Sequence, residues 1–178
     1  MKQRHGYLLG IGSNINPYDN IAAIITGLLQ HFGQLTLSRI LTIPPVGMNS
    51  HRDFLNAAAF IETDIPRSEL KAICNHIEID LGRDRDDPLS KTKDRPADLD
   101  ILCALRLPEN AGIAVHTITD EYFLYPVLHE LMAFLTCAPL KSSPLPAGVL
   151  VTTADLRFGE SATTIHRNRS ASHKRVFQ

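Results

Sequence analysis

At 178 residues the chain has room for one domain, or one domain with a tail, and enough length to bury a core. A net charge of −1 supplies no global field for DNA, RNA or an anionic membrane, so any electrostatic recognition has to be local. No apolar run reaches the length of a membrane span, and Leu8 to Ile11 is too short for the apolar region of a signal peptide. Cys74, Cys103 and Cys137 are odd in number and set apart in apolar segments, which reads as reduced core thiols. A soluble, cytoplasmic monomer with no nucleic-acid or membrane partner is the expectation.

Tyr7 to Gly12 is a short apolar run closed by Gly12-Ser13-Asn14, the pattern of a strand ending in a turn. From Pro17 to His31, Ile21, Ile24, Ile25, Leu28 and Leu29 recur with helical spacing, with Pro17 in the first turn and Gly33 past the end. Leu35 to Ile43 alternates as one strand up to Pro44-Pro45, and a turn-rich loop covers 46–52. A second long strand is predicted for Phe54 to Glu62, then a helix opening at 63–66 and running to Leu81-Gly82. Asp84 to Pro96 is charged and aperiodic, a loop of the length that tends to bind or cover ligands. Ala97 to Leu105 is a strand, Ile113 to Ile118 a short strand, and Pro126 to Cys137 a helix. Val149 to Phe158 adds a strand or turn, Ser161 to Arg167 a short helix, and the end is polar and basic. The order strand, helix, strand, strand, helix, strand predicts an α+β ferredoxin-like sandwich with a βαββαβ core and C-terminal additions. One domain over 1–160 and a basic tail over 161–178 complete the expected organisation.

The most informative stretch is Arg95-Pro-Ala-Asp98-Leu-Asp100-Ile-Leu. On a strand Asp98 and Asp100 share one face while Leu99 and Ile101 enter the core. Two neighbouring carboxylates repel unless a cation lies between them, and their hard oxygens suit Mg²⁺ with phosphate and water completing its shell. A solvated acidic strand end is the plainer alternative. Arg83, Arg85, Lys91, Lys93 and Arg95 precede the pair, either to face a polyanion from the other side or to pair with Asp84, Asp86, Asp87 and Asp94. Asn56 stands in an otherwise apolar strand beside Phe54 on the same face. An amide next to an aromatic plate suits a flat heterocycle, unless the Asn serves a backbone bulge. No P-loop, dinucleotide fingerprint or nucleophile elbow is present in the sequence.

Taken in order, Gly10-Ile-Gly-Ser-Asn14, Pro44-Pro-Val-Gly47, Asp53-Phe-Leu-Asn-Ala-Ala58, Glu78-Ile-Asp-Leu-Gly-Arg83-Asp-Arg85 and Arg95-Pro-Ala-Asp98-Leu-Asp100-Ile-Leu102 form a series. It resembles the 6-hydroxymethyl-7,8-dihydropterin pyrophosphokinase family over about residues 7 to 135. The resemblance implies transfer of the terminal diphosphate of ATP to the hydroxymethyl group of the pterin, with release of AMP, in folate biosynthesis. It implies pterin and ATP as small-molecule partners, and two Mg²⁺ ions held by Asp98 and Asp100. It assigns the pterin to Pro44, Val46, Phe54, Asn56 and Tyr122, and ATP to Arg83, Arg85, Arg95, Ile101 and His116. The catalytic set would be Arg83, Arg95, Asp98 and Asp100. The chain departs from the pattern at Lys93-Asp94, where a small residue or Pro usually precedes the arginine, and at Asp120-Glu121, where basic residues are usual. A catalytically weak pterin- or nucleotide-binding paralogue is the alternative reading. An RNA-binding module of the same fold ranks lower, lacking paired strand aromatics and a basic stripe.

Overall fold

The computed structural model describes residues 2–140 and 144–167. The strand β1 (Arg4–Ser13) leads into the helix α1 (Pro17–Phe32). Helix propensity alone leaves a segment of this length marginal in water. Burial decides it, because Ile21, Ile24, Ile25, Leu28 and Leu29 all face inward, at about 1.5–3 kcal/mol for each side chain removed from water. Pro17 occupies the first turn, and Gly33, at φ 75°, closes the last by donating its N–H to the Leu29 carbonyl at 2.9 Å. The chain continues through β2 (Gln34–Leu37), β3 (Leu41–Ile43), β4 (Phe54–Glu62), α2 (Arg67–Asp80) and β5 (Asp98–Leu107). Two short 3₁₀ turns, Val115–Thr117 and Tyr122–Leu124, precede α3 (Tyr125–Leu135). A small hairpin of β6 (Val151–Thr152) and β7 (Arg157–Phe158) is followed by β8 (Thr163–His166).

The main sheet is antiparallel in every pairing, with order β5-β1-β4-β2-β8, and β3 also pairs with β4. This is the expected α+β ferredoxin-like sandwich. Helices α1 and α2 cover one face, over a core that includes Leu9, Ile11, Ile61, Leu99 and Ile101. On the other face α3 packs on Leu8, Ala58, Phe60, Leu105 and Leu107. A register shift between Leu8 and Leu9 makes a bulge in β5 at Leu102. Leu99 and Ile101 therefore face α1 and α2, while Leu105 and Leu107 face α3. Helix α3 covers only part of its face, and the rest, at the end of β1, is left for a cleft.

Several elements differ from expectation. The strand predicted over 35–43 is broken into β2 and β3 at Ser38: its N–H still donates to the Ala58 carbonyl at 2.9 Å, but its hydroxyl, not a backbone carbonyl, accepts the Ala58 N–H at 2.9 Å. Arg39, next in line, turns to α3 and meets Glu130 through both its backbone N–H (2.7 Å) and its Nε (2.8 Å). The strand predicted near 113–118 is a 3₁₀ turn, held where Thr117 donates both its N–H and its hydroxyl to the Ala114 carbonyl. The short helix expected at 161–167 is instead the strand β8, which pairs with β2 and buries Ile165. Part of the expected tail thus belongs to the sheet, while 168–178 lie outside the described residues. No described helix is long and apolar enough to cross a membrane.

Candidate active site

Register builds the site. Gly12 pairs with Asn56 of β4 on one side and with Asp98 of β5 on the other, and Gly10 pairs with Ala58 and Asp100. Residues in one row of a sheet point to the same face, so Asn56 and Asp98 rise on either side of a strand that has no side chain between them. Two strand spacings, about 10 Å, separate the two backbones. The gap has to stay empty: a Cβ on Gly12 would lie 2.8 Å from Asn56 Oδ1, and one on Gly10 3.2 Å from Leu124 Cδ1. Glycine is required there for room.

The result is an open cleft rather than an enclosed cavity. One wall is Phe54 and Asn56 with Ile43, Pro44 and Val46, and the other, charged wall is Arg95, Asp98 and Asp100. Glu121, Phe123 and Leu124, on the turn before α3, close the third side. Asn56 is 7 % exposed, yet among the described residues its side-chain amide hydrogen-bonds no protein group and opens onto the cleft. The amide is thus open to whatever enters the cleft, which favours ligand recognition over a bulge role.

The carboxylate pair lies in a mixed field. Burial and the neighbouring Asp98 charge push the Asp100 carboxyl above the usual carboxylate range. Burial, Asp100 and Asp98 do the same to Glu121, with Arg95 opposing. Two carboxylates that disfavour each other's charge are a donor set suited to a hard dication. Among the described residues no group of three or more His, Cys, Asp or Glu converges, so an ion there would complete its shell from phosphate and water, the habit of Mg²⁺. Asp98 also accepts a hydrogen bond from Arg83 Nη1 at 2.7 Å. Arg95 stands between the walls, its guanidinium 5.3 Å from the centre of the Phe54 ring and its Nε 3.2 Å from Asp98 Oδ2. That Nε is buried and meets Asp98 as an ion pair without a well-formed hydrogen bond.

Of the residues expected from sequence, Pro44, Val46, Phe54, Asn56, Arg95, Asp98 and Asp100 meet in this cleft. Arg83 and Arg85 lie behind it. Arg85 embraces Glu78 through Nε and Nη2, and Arg83 is held between Asp98 and the Ala97 carbonyl, 3.4 Å from Glu78. The Ile101 side chain packs on the opposite face, under α1 and α2. His116 is exposed on its 3₁₀ turn, and Tyr122 points to solvent while Phe123 lines the cleft. Sequence reasoning missed Phe123 and Glu121, since a 3₁₀ turn has neither the period of 2 nor that of 3.6 to assign a face. It also gave no role to Glu78, the fully buried carboxylate that accepts the Leu99 N–H at 2.8 Å and gathers both arginines. A lone acid at an apolar position of an otherwise amphipathic helix was the available signal.

The family described as 7,8-dihydro-6-hydroxymethylpterin-pyrophosphokinase matches residues 8–131, which include every strand and loop that lines the cleft. The chain belongs to this family. Individual relatives point the same way. A 2-amino-4-hydroxy-6-hydroxymethyldihydropteridine pyrophosphokinase of Porphyromonas gingivalis is 33 % identical over 96 residues, 53 % of this chain and 65 % of the relative. Proteins of the same name from Bacillus subtilis and Methylorubrum extorquens are each 33 % identical, over 97 and 100 residues, covering 56 % and 60 % of those relatives. The matched part of the chain thus spans less than two thirds of these pyrophosphokinases. The family's pterin pyrophosphokinase description suits a cleft that joins a wall for a planar ring to a wall of carboxylates and arginine.

Proposed function

We propose that this chain transfers the terminal diphosphate of ATP to the hydroxymethyl group of 6-hydroxymethyl-7,8-dihydropterin and releases AMP, a step of folate biosynthesis. The observation that carries the reading is the row Asn56–Gly12–Asp98, which sets an unpartnered amide and a carboxylate pair on either side of a side-chain-free strand. The pterin would lie against Phe54, its donor–acceptor edge read by Asn56 and by backbone groups around Pro44 and Val46. Phe123 supplies the second aromatic surface, and Tyr122 could join it only by turning inward from its exposed position. The triphosphate would lie at the other wall, where Asp98 and Asp100 would hold Mg²⁺ and Arg95 would face phosphate oxygens, with Arg83 behind them bracing Asp98. To reach the rest of the nucleotide Arg85 would have to release Glu78, and His116 would have to approach from its exposed 3₁₀ turn outside the cleft.

The hydroxymethyl oxygen attacks the β-phosphorus in line, the bond from that phosphorus to the α–β bridging oxygen breaks, AMP departs, and the hydroxyl proton passes to solvent. When bound, Mg²⁺ supplies charge neutralisation and alignment of the phosphate oxygens. The chain's own residues do the rest. Phe54 and Asn56 fix the acceptor alcohol, the Arg95 guanidinium places positive charge between the two walls, and Arg83 holds Asp98 in place. Incubation with ATP, Mg²⁺ and the pterin should yield the diphosphorylated pterin on chromatography. An unchanged pterin beside consumed ATP would refute the acceptor assignment.

A further inference from the structure

Three remote parts of the chain meet at Asp94. Its Oδ1 accepts hydrogen bonds from Asn14 Nδ2 at 2.8 Å and from the Ser50 hydroxyl, and its Oδ2 lies 3.6 Å from Arg52 Nε. Asn14 follows the end of β1, Ser50 and Arg52 belong to the loop that begins at Pro44 and Val46, and Asp94 belongs to the loop over 84–96. Asn14 is 2 % exposed and clamps the next residue as well: its backbone N–H donates to the Arg95 carbonyl at 3.1 Å, and its Oδ1 accepts the Arg95 N–H at 2.7 Å. The Asn14 amide reaches the Arg52 carbonyl too, at 3.4 Å. The loop's other acids behave differently. Asp87 takes the nearby Lys93, a solvated pairing, whereas Asp94 reaches partners 44 and 80 positions away.

We propose that Asp94 is a positioning residue, a latch that fastens the 44–53 loop and the 84–96 loop to the end of β1 and thereby fixes Arg95 between the ring wall and the carboxylate pair. What Arg95 meets there, a nucleoside triphosphate, rests on the pyrophosphokinase reading; the latch itself stands on the contacts. An ionised carboxylate suits the task, because hydrogen bonds to a charged acceptor are about twice as strong as neutral ones. The Ser50 and Asn14 hydrogen bonds and the Arg52 guanidinium hold the Asp94 carboxyl below the usual carboxylate range, so it stays charged at neutral pH. Without the latch both loops must be ordered when the nucleotide binds, and that ordering is subtracted from its affinity.

Hydrogen exchange of the full chain tests this without any ligand. In D94A, the amides of 48–53, of 92–96 (Arg95 among them) and of Asn14 should exchange faster together while β1, β4 and β5 keep their protection. ATP with Mg²⁺ should bind about tenfold more weakly by calorimetry, and its KM should rise by a similar factor at nearly constant kcat. D94N, which keeps an acceptor oxygen but no charge, should fall between D94A and the native chain. Should D94A fail to fold, S50A removes one arm of the latch and predicts a smaller change of the same kind. Faster exchange confined to 92–96, or unaltered ATP affinity in a folded D94A, overturns the latch. A native chain that binds ATP but makes no AMP with the pterin contradicts the pyrophosphokinase reading instead, and the exchange and affinity comparisons still decide the latch.

Discussion

Single atoms decide whether this cleft exists. Gly12→Ala would place a methyl 2.8 Å from Asn56 Oδ1 and 3.6 Å from the Phe54 ring, so the amide has to move. Overpacking of this kind costs about 1–3 kcal/mol, and pterin affinity should fall by about tenfold or more while ATP affinity holds. Fluorescence titration with the pterin checks it, and equal losses for both ligands would count against the ring wall. Asp100 tests the opposite wall. Its carboxyl is raised by burial and by Asp98, so the folded chain holds that proton more tightly than the unfolded chain does. The sign follows: in the absence of ligands the site's contribution to stability declines as pH rises through the carboxylate range. Asp100→Asn should therefore melt at or above the native midpoint at pH 7, with the difference closing near pH 3, while diphosphate transfer drops by about a hundredfold or more. Thermal melts at the two pH values, alongside the transfer assay, separate the effects. A variant that keeps its turnover would remove Asp100 from the metal assignment. Asp98, Asp100, Phe54 and Asn56 were legible in the sequence because strand periodicity alone assigns their face. Phe123 and Glu121 were not, because a turn has no period and their position comes from α3 docking on the sheet.

At the scale of elements, the seam between α2 and β5 carries the charged wall. Glu78 has no solvent exposure, and its two oxygens bind Arg85 and the Leu99 N–H, with Arg83 at 3.4 Å. Buried ion pairs often contribute little net stability, yet removing one member leaves the others desolvated and unpaired. Glu78→Ala should cost about 3–5 kcal/mol in denaturant unfolding and loosen Asp98 through Arg83. A loss below about 1 kcal/mol would show that water replaces the carboxylate. The βαββαβ order was readable because the helices keep a helical period and the long strands are apolar runs closed by turn residues. What the period concealed was the break at Ser38, where one hydroxyl replaces a ladder acceptor and frees Arg39 for Glu130. Apolar alternation resumes at Leu41 and Ile43, and the charged Arg39 at an apolar position of that alternation is the one mark the sequence gives of the break.

For the molecule as a whole, the last described strand and the cysteines give the simplest checks. Strand β8 closes the β2 edge and buries Ile165, so truncation after Glu160 should cost at least about 1.5–3 kcal/mol for that side chain alone. An unchanged unfolding midpoint would show that the sheet does not depend on β8. Burial, aided by Glu78, pushes the Cys74 thiol up to about 12, whereas Cys137 is exposed. Native protein at pH 8 should thus alkylate at Cys137 and spare Cys74 until it unfolds, which mass spectrometry resolves. If one cleft joins a pterin to the β-phosphorus of ATP, the nucleotide product reveals it. With ATP and Mg²⁺, AMP should appear only when 6-hydroxymethyl-7,8-dihydropterin is present, one for each pterin diphosphorylated. ADP as the product, or AMP at the same rate without the pterin, would contradict the account.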